Sequence, residues 1–264
     1  MKRLTLPLVL LALFLFSGSI FIAEYLPQFT VETCEGDISI ASFNIQTLGT
    51  AKMEKEAVRE YLPYVISGFD IIAIQELRDK SGKAIKELHE MLPEYDMDLS
   101  PRLGRTSSKE QYVLFYRTGD ILSTDVYPDH LDKFEREPYI IHMNVSGQDI
   151  CLIVVHIKPD DAVDEIKALE DVIDYSKKYD DDFILVGDMN ADCRYYDENS
   201  PYLREYNWAI TDEMDTTVSA NSCTYDRIIS NMFSCKGDVF ELHMPDAYVI
   251  SDHHPVWIEL KKII

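Results

Sequence analysis

Cationic side chains are scarce in this sequence of 264 residues, which has 25 Lys and Arg against 47 Asp and Glu and a formal net charge of −22. A surface this acidic repels nucleic acid at long range, so the composition alone argues against a nucleic-acid-binding protein. An acidic enzyme can still act on phosphodiesters where bound divalent cations reverse the potential locally. The charge therefore disfavours a basic binding surface and leaves metal-assisted chemistry open.

Cysteine is also scarce, and the odd number of five excludes complete pairing. Cys151 begins an apolar run and is predicted to be a buried free thiol. Cys193 and Cys223 are candidates for a bridge, which an oxidising compartment would permit. Cys34 and Cys235 form a second candidate pair only because they are the two that remain.

Long uncharged runs are absent except near the amino terminus, where residues 4–23 follow Lys2 and Arg3. This segment is either a secretory signal peptide, with a cleavage point after Ser19, or an uncleaved membrane anchor. Under both alternatives, Lys2 and Arg3 start on the inner side of the membrane and residues 24–264 lie on its outer side. We therefore expect a secreted protein, or one attached to the membrane through residues 4–23.

Low-complexity segments and internal repeats are absent from residue 37 onward, where strand and helix patterns alternate. We interpret residues 24–36 as a linker or edge strand and residues 37–264 as a single domain. The pattern predicts an α/β fold of four layers, with two packed mixed β-sheets flanked by helices. Residues 112–155 are read as four successive strands in antiparallel hairpins. The predicted strands are 38–43, 71–74, 112–116, 121–127, 139–145, 150–155, 183–186, 228–230, 239–244 and 256–260, and the helices are 53–69, 83–92 and 162–179.

Polar residues stand at or just beyond the ends of these predicted strands. One such residue is ordinary turn chemistry, because Asn and Asp favour turns. A larger set of carboxylates, amides and imidazoles indicates a site held by a rigid sheet. The set comprises Asn44, Glu76, Glu110, His156, Asp188, Asn190, Asp226, Asp252 and His253.

The residue types fit hydrolysis of a phosphodiester, which needs a cation, a base for the attacking water and an acid for the leaving oxygen. Mg²⁺ prefers oxygen ligands and takes one or two carboxylates. Glu76 and Asp252 can supply those carboxylates, and Asn44 can supply a neutral amide oxygen.

Histidine supplies the acid and the base in this interpretation, because its proton exchanges near neutral pH. His156 and His253 are the two candidates. Each needs a carboxylate that fixes its tautomer, and Glu110 and Asp226 are available for that role.

The chain resembles the deoxyribonuclease I family of the endonuclease/exonuclease/phosphatase superfamily, from about residue 38 to residue 260. Gln-Glu after a strand, Gly-Asp-x-Asn and Ser-Asp-His are shared across the superfamily. The segments at 156–166 and 190–193 are more particular to deoxyribonuclease I. The matching segments are Ser42–Gln46, Ile74–Asp79, Gly104–Tyr112, Arg136–Pro138, His156–Ile166, Gly187–Cys193, Tyr225–Arg227 and Ser251–Pro255.

The resemblance implies a role for each matching site residue. Glu76, Asn44 and Asp252 would surround a catalytic Mg²⁺ or Mn²⁺ ion. Asp188 and Asn190 would hold the scissile phosphate or a second cation. The histidine–carboxylate pairs would be His156 with Glu110 and His253 with Asp226. Substrate contacts would come from a minor-groove residue and two phosphate-side residues, namely Arg78, Arg136 and Tyr195.

The resemblance also implies structural features outside the catalytic residues. The Cys pair of the family maps onto Cys193 and Cys223. A structural Ca²⁺ site would use four oxygen-bearing residues at a spacing of two, and a weaker second site would lie near Asp132 and Glu137. The four residues are Asp215, Thr217, Ser219 and Asn221.

Two departures separate the chain from the family pattern. Ser108 stands where the family places a tyrosine against a minor-groove sugar, so duplex affinity or sequence preference is expected to differ. The second, small disulfide loop of the family is missing before Phe134.

The function that the resemblance implies is a secreted, divalent-metal-dependent endonuclease that hydrolyses DNA and leaves 5′-phosphate ends. The alternative is a phosphodiesterase of the same superfamily acting on lipid headgroups or other small phosphoesters. A non-catalytic binding protein would have lost site residues, and all the expected ones are in place. No stable protein partner is evident from the sequence.

Overall fold

The computed structural model describes residues 38–260, except residues 198, 233 and 245 and the side chains of 234–236. The predicted leader (1–23), the predicted linker (24–36) and the candidate pair Cys34–Cys235 lie outside this description. The domain boundaries therefore stay predictions. Within the described part, no helix has both the length and the apolar character needed to cross a membrane.

Apolar and β-branched runs bounded by polar turns form the strands of the described chain. The strands are β1 Ile38–Leu48, β2 Ile71–Leu77, β3 Asp96–Leu99, β4 Gln111–Tyr116, β5 Asp120–Val126, β6 Tyr139–Val145, β7 Gln148–His156, β8 Phe183–Asp188, β9 Asn207–Trp208, β10 Asp226–Ser230, β11 Ser234–Val239 and β12 Val256–Leu260. The α-helices are α1 Thr50–Met53, α2 Glu56–Ser67, α3 Lys83–Glu90 and α4 Ala162–Ser176. Short 3₁₀ turns occupy Pro159–Asp161 and Ala247–Val249.

The described strands form two six-stranded sheets. The first has the order β11-β12-β1-β2-β4-β3, and the second has the order β5-β6-β7-β8-β10-β9. Both sheets are mixed, because β1–β2 and β7–β8 are parallel pairs and the other pairs are antiparallel. Parallel pairing matters for the site, since it brings the carboxyl ends of neighbouring strands to one edge.

Three apolar layers hold the four structural layers together. Residues such as Ile40, Leu152 and Ile184 fill the space between the two sheets. Helices α1 to α3 cover the outer face of the first sheet. Helix α4 covers the outer face of the second sheet through residues that include Leu169 and Val172. The predicted sandwich of two mixed sheets flanked by helices is confirmed.

Several predicted elements are wrong in their bounds or partners. Strand β11 spans 234–239, not 239–244, because its pairing with β12 ends at Val239 opposite Val256. Strand β4 does not form a hairpin with β5: it pairs with β2 and β3 in the first sheet, while β5, β6 and β7 follow one another in the second. The helix predicted at 53–69 is α2, which is shorter at both ends, and the preceding α1 was not predicted. Strands β3 and β9 were not predicted. Aspartates at positions 96 and 98 interrupt the apolar pattern of β3, and β9 has only two residues.

Gly187 is required where β7 and β8 approach each other beside the candidate site. Its φ is 151°, a region that disfavours side chains, and an added Cβ would lie 1.9 Å from the carbonyl oxygen of Val155. These two residues are partners in the parallel pairing. Any side chain here would push the two strands apart.

We expect Gly187→Ala to lower the free energy of unfolding by about 3 kcal/mol, because the methyl group cannot fit without separating β7 from β8. Urea denaturation of the purified protein measures this change. Gly49→Ala is the control: its φ is −154°, an added Cβ would meet no atom within 4 Å, and a change below about 1 kcal/mol is expected. Equal stability of the two variants would contradict the close approach.

Candidate active site

The site lies where strand ends from both sheets meet. In the second sheet, the pairing places His156 beside Asp188 and Asp188 beside Asp226. In the first sheet, Asn44 pairs with Gln75 of β2 just before a register shift, inside β1, which continues to Leu48 beyond the predicted end at residue 43. The side-chain Nδ2 of Asn44 donates a hydrogen bond to Oδ2 of Asp188 at 2.9 Å and so joins the two sheets.

Asp188 is the centre of the site and is buried. Its Oδ1 accepts the backbone N–H of Asn190 at 3.0 Å. Its Oδ2 lies 3.7 Å from Nε2 of His156 and 3.6 Å from Nε2 of His253. The side chain of Asn190, also buried, donates to the carbonyl oxygen of Ile157 at 3.0 Å. Two imidazoles therefore face the same carboxylate oxygen.

His156 forms one of two buried imidazole–carboxylate pairs. Its Nδ1 lies 2.6 Å from Oε1 of Glu110, and Arg136 Nε lies 3.0 Å from Oε2 of the same carboxylate. Burial opposes a positive imidazole, but Glu110 and Asp188 together raise the pKa of His156 above its ordinary value. This contact holds Nδ1 on Glu110 and leaves Nε2 facing Asp188.

His253 forms the second pair in the same manner. Its Nδ1 lies 2.7 Å from Oδ2 of the buried Asp226, whose backbone N–H donates to Thr216 Oγ1 at 3.2 Å. Burial opposes the charged imidazole, but Asp226 and Asp188 raise the pKa of His253 to about 10. The predicted pairings of both histidines are thus the ones that the geometry shows.

Glu76 lies next to this centre on β2 and has a positive φ of 68°. Its Oε1 accepts Asn44 Nδ2 at 3.3 Å, and its Oε2 accepts the backbone N–H and the hydroxyl of Thr47 at 2.9 and 3.0 Å. Burial opposes ionisation, but His156 and Arg78 lower the pKa of Glu76 below its ordinary value. Glu76 is therefore an ionised, positioned carboxylate.

The three residues predicted to hold a cation carry side chains of the types that a hard divalent ion accepts. Asn44 contacts Glu76 through its amide Nδ2, while its Oδ1 accepts the backbone N–H of Gln46 at 3.0 Å. Asp252 Oδ1 lies 3.9 Å from Nε2 of His253. Carboxylate and amide oxygens are the ligands that Mg²⁺ and Mn²⁺ accept. Asp188, Asp226 and His253 also lie within 4.8 Å of one another, but Asp226 and His253 already bond each other. That bond occupies Nδ1 of His253 and Oδ2 of Asp226.

The three residues predicted to contact substrate lie around the same site. Arg78 Nη2 lies 3.2 Å from Oε2 of Glu76, and Arg136 pairs with Glu110. The Tyr195 ring is 5.8 Å from the Tyr225 ring, which in turn is 6.3 Å from the imidazole of His253. Arg78 and Arg136 thus lie against the carboxylates of Glu76 and Glu110, and Tyr195 is joined to His253 only through the Tyr225 ring.

Sequence reasoning missed several supporting residues. Ser251 Oγ donates to the carbonyl oxygen of Asn44 at 2.6 Å and accepts the backbone N–H of His253 at 3.1 Å. Its place in Ser-Asp-His was a signal that could have identified it. Thr47 and Thr216 carry no such signal, because their hydroxyls reach the site only through the folded chain.

The disulfide and the free thiol are as predicted. Cys193 and Cys223 are joined, with 5.9 Å between their Cα atoms. Cys151 is buried and free. The bridge ties the loop after β8 to the segment that leads into β10, and both strands carry site residues.

The four residues predicted as a calcium site are brought together. Thr217 Oγ1 lies 2.9 Å from Asp215 Oδ1, and the hydroxyls of Thr217 and Ser219 each lie 2.8 Å from the carbonyl oxygen of Asn221. Asn221 therefore offers its backbone oxygen to the cluster. At the weaker second site near Glu137, Arg105 Nε lies 2.8 Å from Asp132 and neutralises that carboxylate. Ser108, at the position where the family has tyrosine, is exposed.

Known proteins match this chain over most of its length. The family model described as "Endonuclease/Exonuclease/phosphatase family" matches residues 41–253. Deoxyribonuclease-1-like 2 of Mus musculus is 34% identical over 255 residues, covering 85% of this chain and 92% of the relative. Deoxyribonuclease-1 of Mus musculus is 35% identical over 264 residues, covering 86% and 93%.

Solved structures show the same fold. Humanized D. rerio TDP2 superimposes with a TM-score of 0.66 at 16% identity, covering 84% of this chain and 98% of that one. An endonuclease/exonuclease/phosphatase protein of Bacteroides vulgatus gives 0.65 at 16% identity, covering 86% and 99%. At this identity the likeness supports the fold and nothing finer.

We expect the stability of the metal-free protein to fall as pH rises from about 6.5 to 10. The pKa of His253 is raised to about 10 in the folded state, so the stabilisation by its proton is fully present below the unfolded pKa and is lost as pH passes the folded one. Urea denaturation across this range, in EDTA, measures the slope. His253→Gln should lose this component, whereas His130→Gln, at an exposed position, should keep it. Identical slopes in both variants would refute the assignment.

Proposed function

Because the chain belongs to the endonuclease/exonuclease/phosphatase family, we propose that it is a secreted, divalent-metal-dependent endonuclease that hydrolyses DNA and leaves 5′-phosphate ends. It is a phosphodiester-hydrolysing enzyme, as its relatives named deoxyribonuclease are. The observation that carries the proposal is the pair of imidazoles, each fixed by a carboxylate, that face Asp188 from two sides.

The two histidines suit the two proton transfers of the reaction. Water attacks phosphorus, and the imidazole acting as base takes its proton. The bond between phosphorus and the 3′ oxygen breaks, and the other imidazole donates a proton to that oxygen, which leaves a 3′-hydroxyl and a 5′-phosphate. Glu110 and Asp226 hold the Nδ1 atoms, so that His156 and His253 both present Nε2 to the reacting groups.

Glu76, Asn44 and Asp252 would hold the Mg²⁺ or Mn²⁺ ion, which when bound neutralises charge on the phosphate. The remaining site residues, Asp188 and Asn190, orient the substrate. We place the scissile phosphate near Asp188 and Asn190, where it could also meet a second cation. The phosphate is then within the region bordered by the imidazoles.

DNA is the substrate that these observations favour. The relatives at 34–35% identity are named deoxyribonucleases, and Arg78 and Arg136 provide positive charge beside the site of an acidic protein. In the family, Arg78 matches a minor-groove contact, while Arg136 and Tyr195 match phosphate contacts. The acidic surface and the predicted anchor favour the lipid-headgroup alternative, but no contact within the site favours it.

The remaining parts of the proposal concern location and domain organisation. Residues 1–23 would direct the chain outside the cell or anchor it there. Residues 24–36 would form a linker or edge strand, and residues 37–264 would form the catalytic domain. The Cys193–Cys223 bridge supports an oxidising compartment. We propose no stable protein partner.

We expect the purified protein to nick supercoiled plasmid in Mg²⁺ plus Ca²⁺ and to stop when EDTA is added. His156→Ala and His253→Ala should each lower the cleavage rate by at least about 100-fold, because each removes one proton transfer. His130→Ala, at an exposed position, is the matched control and should cleave normally. Near-normal cleavage by both site variants would contradict the roles. Hydrolysis of sphingomyelin vesicles without plasmid cleavage would support the lipid alternative.

We propose that Ca²⁺ binds Asp215, Thr217, Ser219 and Asn221 and stabilises the segment before β10. Saturating Ca²⁺ should raise the melting temperature by roughly 5 °C over the EGTA-treated protein. Asp215→Asn should remove this shift, because the only carboxylate of the cluster is lost. Asp164→Asn, exposed on α4, should retain it. An undiminished shift in Asp215→Asn would place calcium elsewhere.

A further inference from the structure

Glu165 is a buried carboxylate on α4 that the proposed reaction does not use. Its side chain has no solvent exposure. Oε1 accepts the backbone N–H of Glu135 at 3.0 Å, and Oε2 accepts the backbone N–H of Lys158 at 3.4 Å. Each oxygen thus holds one backbone segment that comes from outside its own helix.

The two tethered segments carry parts of the candidate active site. Glu135 directly precedes Arg136, and Lys158 lies two residues after His156. Arg136 contacts both members of the first imidazole–carboxylate pair: its Nε lies 3.0 Å from Glu110 Oε2, and its Nη1 donates to the carbonyl oxygen of His156 at 3.3 Å. One carboxylate on α4 therefore ties the loop of Arg136 to the end of β7.

We propose that Glu165 is a positioning residue for phosphodiester hydrolysis, because its two oxygens clamp the Arg136 loop against the segment after His156. Arg136 then meets Glu110 and a substrate phosphate from a fixed backbone. The inference rests on the proposed nuclease function for its kinetic consequence. The clamp itself rests on geometry alone.

The burial of Glu165 argues that both oxygens are needed. Burial raises the pKa of Glu165 to about 7, so the charged form is costly at neutral pH. A residue that only filled space between α4 and the loops would be better apolar. A protonated carboxyl or an amide at position 165 would keep one oxygen as a good acceptor. Its other polar atom would carry a hydrogen and face the second of the two backbone N–H groups.

The clamp should therefore weaken as pH falls through about 7. Protonation of Glu165 replaces one acceptor with a donor, and the second backbone N–H loses its partner. Other groups bear on this titration from the elements around it: Arg136 and Arg105 favour the charged form, while Asp161 opposes it. Because the site histidines also titrate, only the difference between wild type and a Glu165 variant isolates the clamp.

The decisive variant is Glu165→Gln, which resembles the protonated carboxyl, with Glu170→Gln as the matched control at an exposed position of the same helix. At pH 8, Glu165→Gln should lower kcat/KM for plasmid DNA roughly tenfold or more, through displaced site groups. The ratio of wild type to Glu165→Gln should approach one as pH falls below 7. Glu170→Gln should match wild type throughout.

A double-mutant cycle tests whether the effect passes through Arg136. In an Arg136→Ala background, adding Glu165→Gln should change kcat/KM less than about twofold, because the group being positioned is gone. A full tenfold loss in that background would overturn the proposal. So would a Glu165→Gln enzyme with the activity and pH profile of wild type.

Hydrogen exchange keeps the inference testable apart from activity and from the folding of the variant. In the wild-type protein, the amides of Glu135 and Lys158 should be protected at pH 8, with protection factors that fall below pH 7. Unprotected amides at pH 8 would overturn the clamp. A wild-type protein that leaves plasmid intact but protects both amides would refute the nuclease proposal and leave the clamp standing.

Discussion

Buried charge must be compensated, and this requirement organises the whole site. Asp188 is buried beside two imidazoles and one amide, and each imidazole has its own buried carboxylate. Removing one member would leave another uncompensated in a region of low dielectric, which is far costlier than any exposed ion pair. The rigid sheets hold these groups in place, since strand pairing already puts His156, Asp188 and Asp226 side by side.

The same requirement explains how an acidic protein can present a site for phosphate. The net charge of −22 is spread over the chain, but the site concentrates cationic groups among its carboxylates. Arg78 lies against Glu76, and Arg136 lies against Glu110. Long-range repulsion of a phosphate group by the remaining acidic surface is therefore opposed locally by these two guanidinium groups.

The elements that could be predicted from the sequence are those whose pattern lies within the element itself. Strands β6 and β12 have the predicted bounds, because each is an apolar run between clear turns. Strand β11 was misplaced and β3 was missed, since their residues pair at sheet edges and carry charged positions such as Asp96 and Asp238. The antiparallel partner of β4 was wrong, because periodicity reports a strand and its buried face but not its neighbour.

The sequence by itself determined which residue types could perform the chemistry, and polar positions at the ends of predicted strands identified them. It also determined the alternation of strands and helices that makes a two-sheet sandwich. Only the tertiary structure decided that both imidazoles face one oxygen of Asp188 and that Glu165 clamps the backbone beside Arg136. These contacts join residues far apart in the chain through strand pairing and layer packing, which no local pattern encodes.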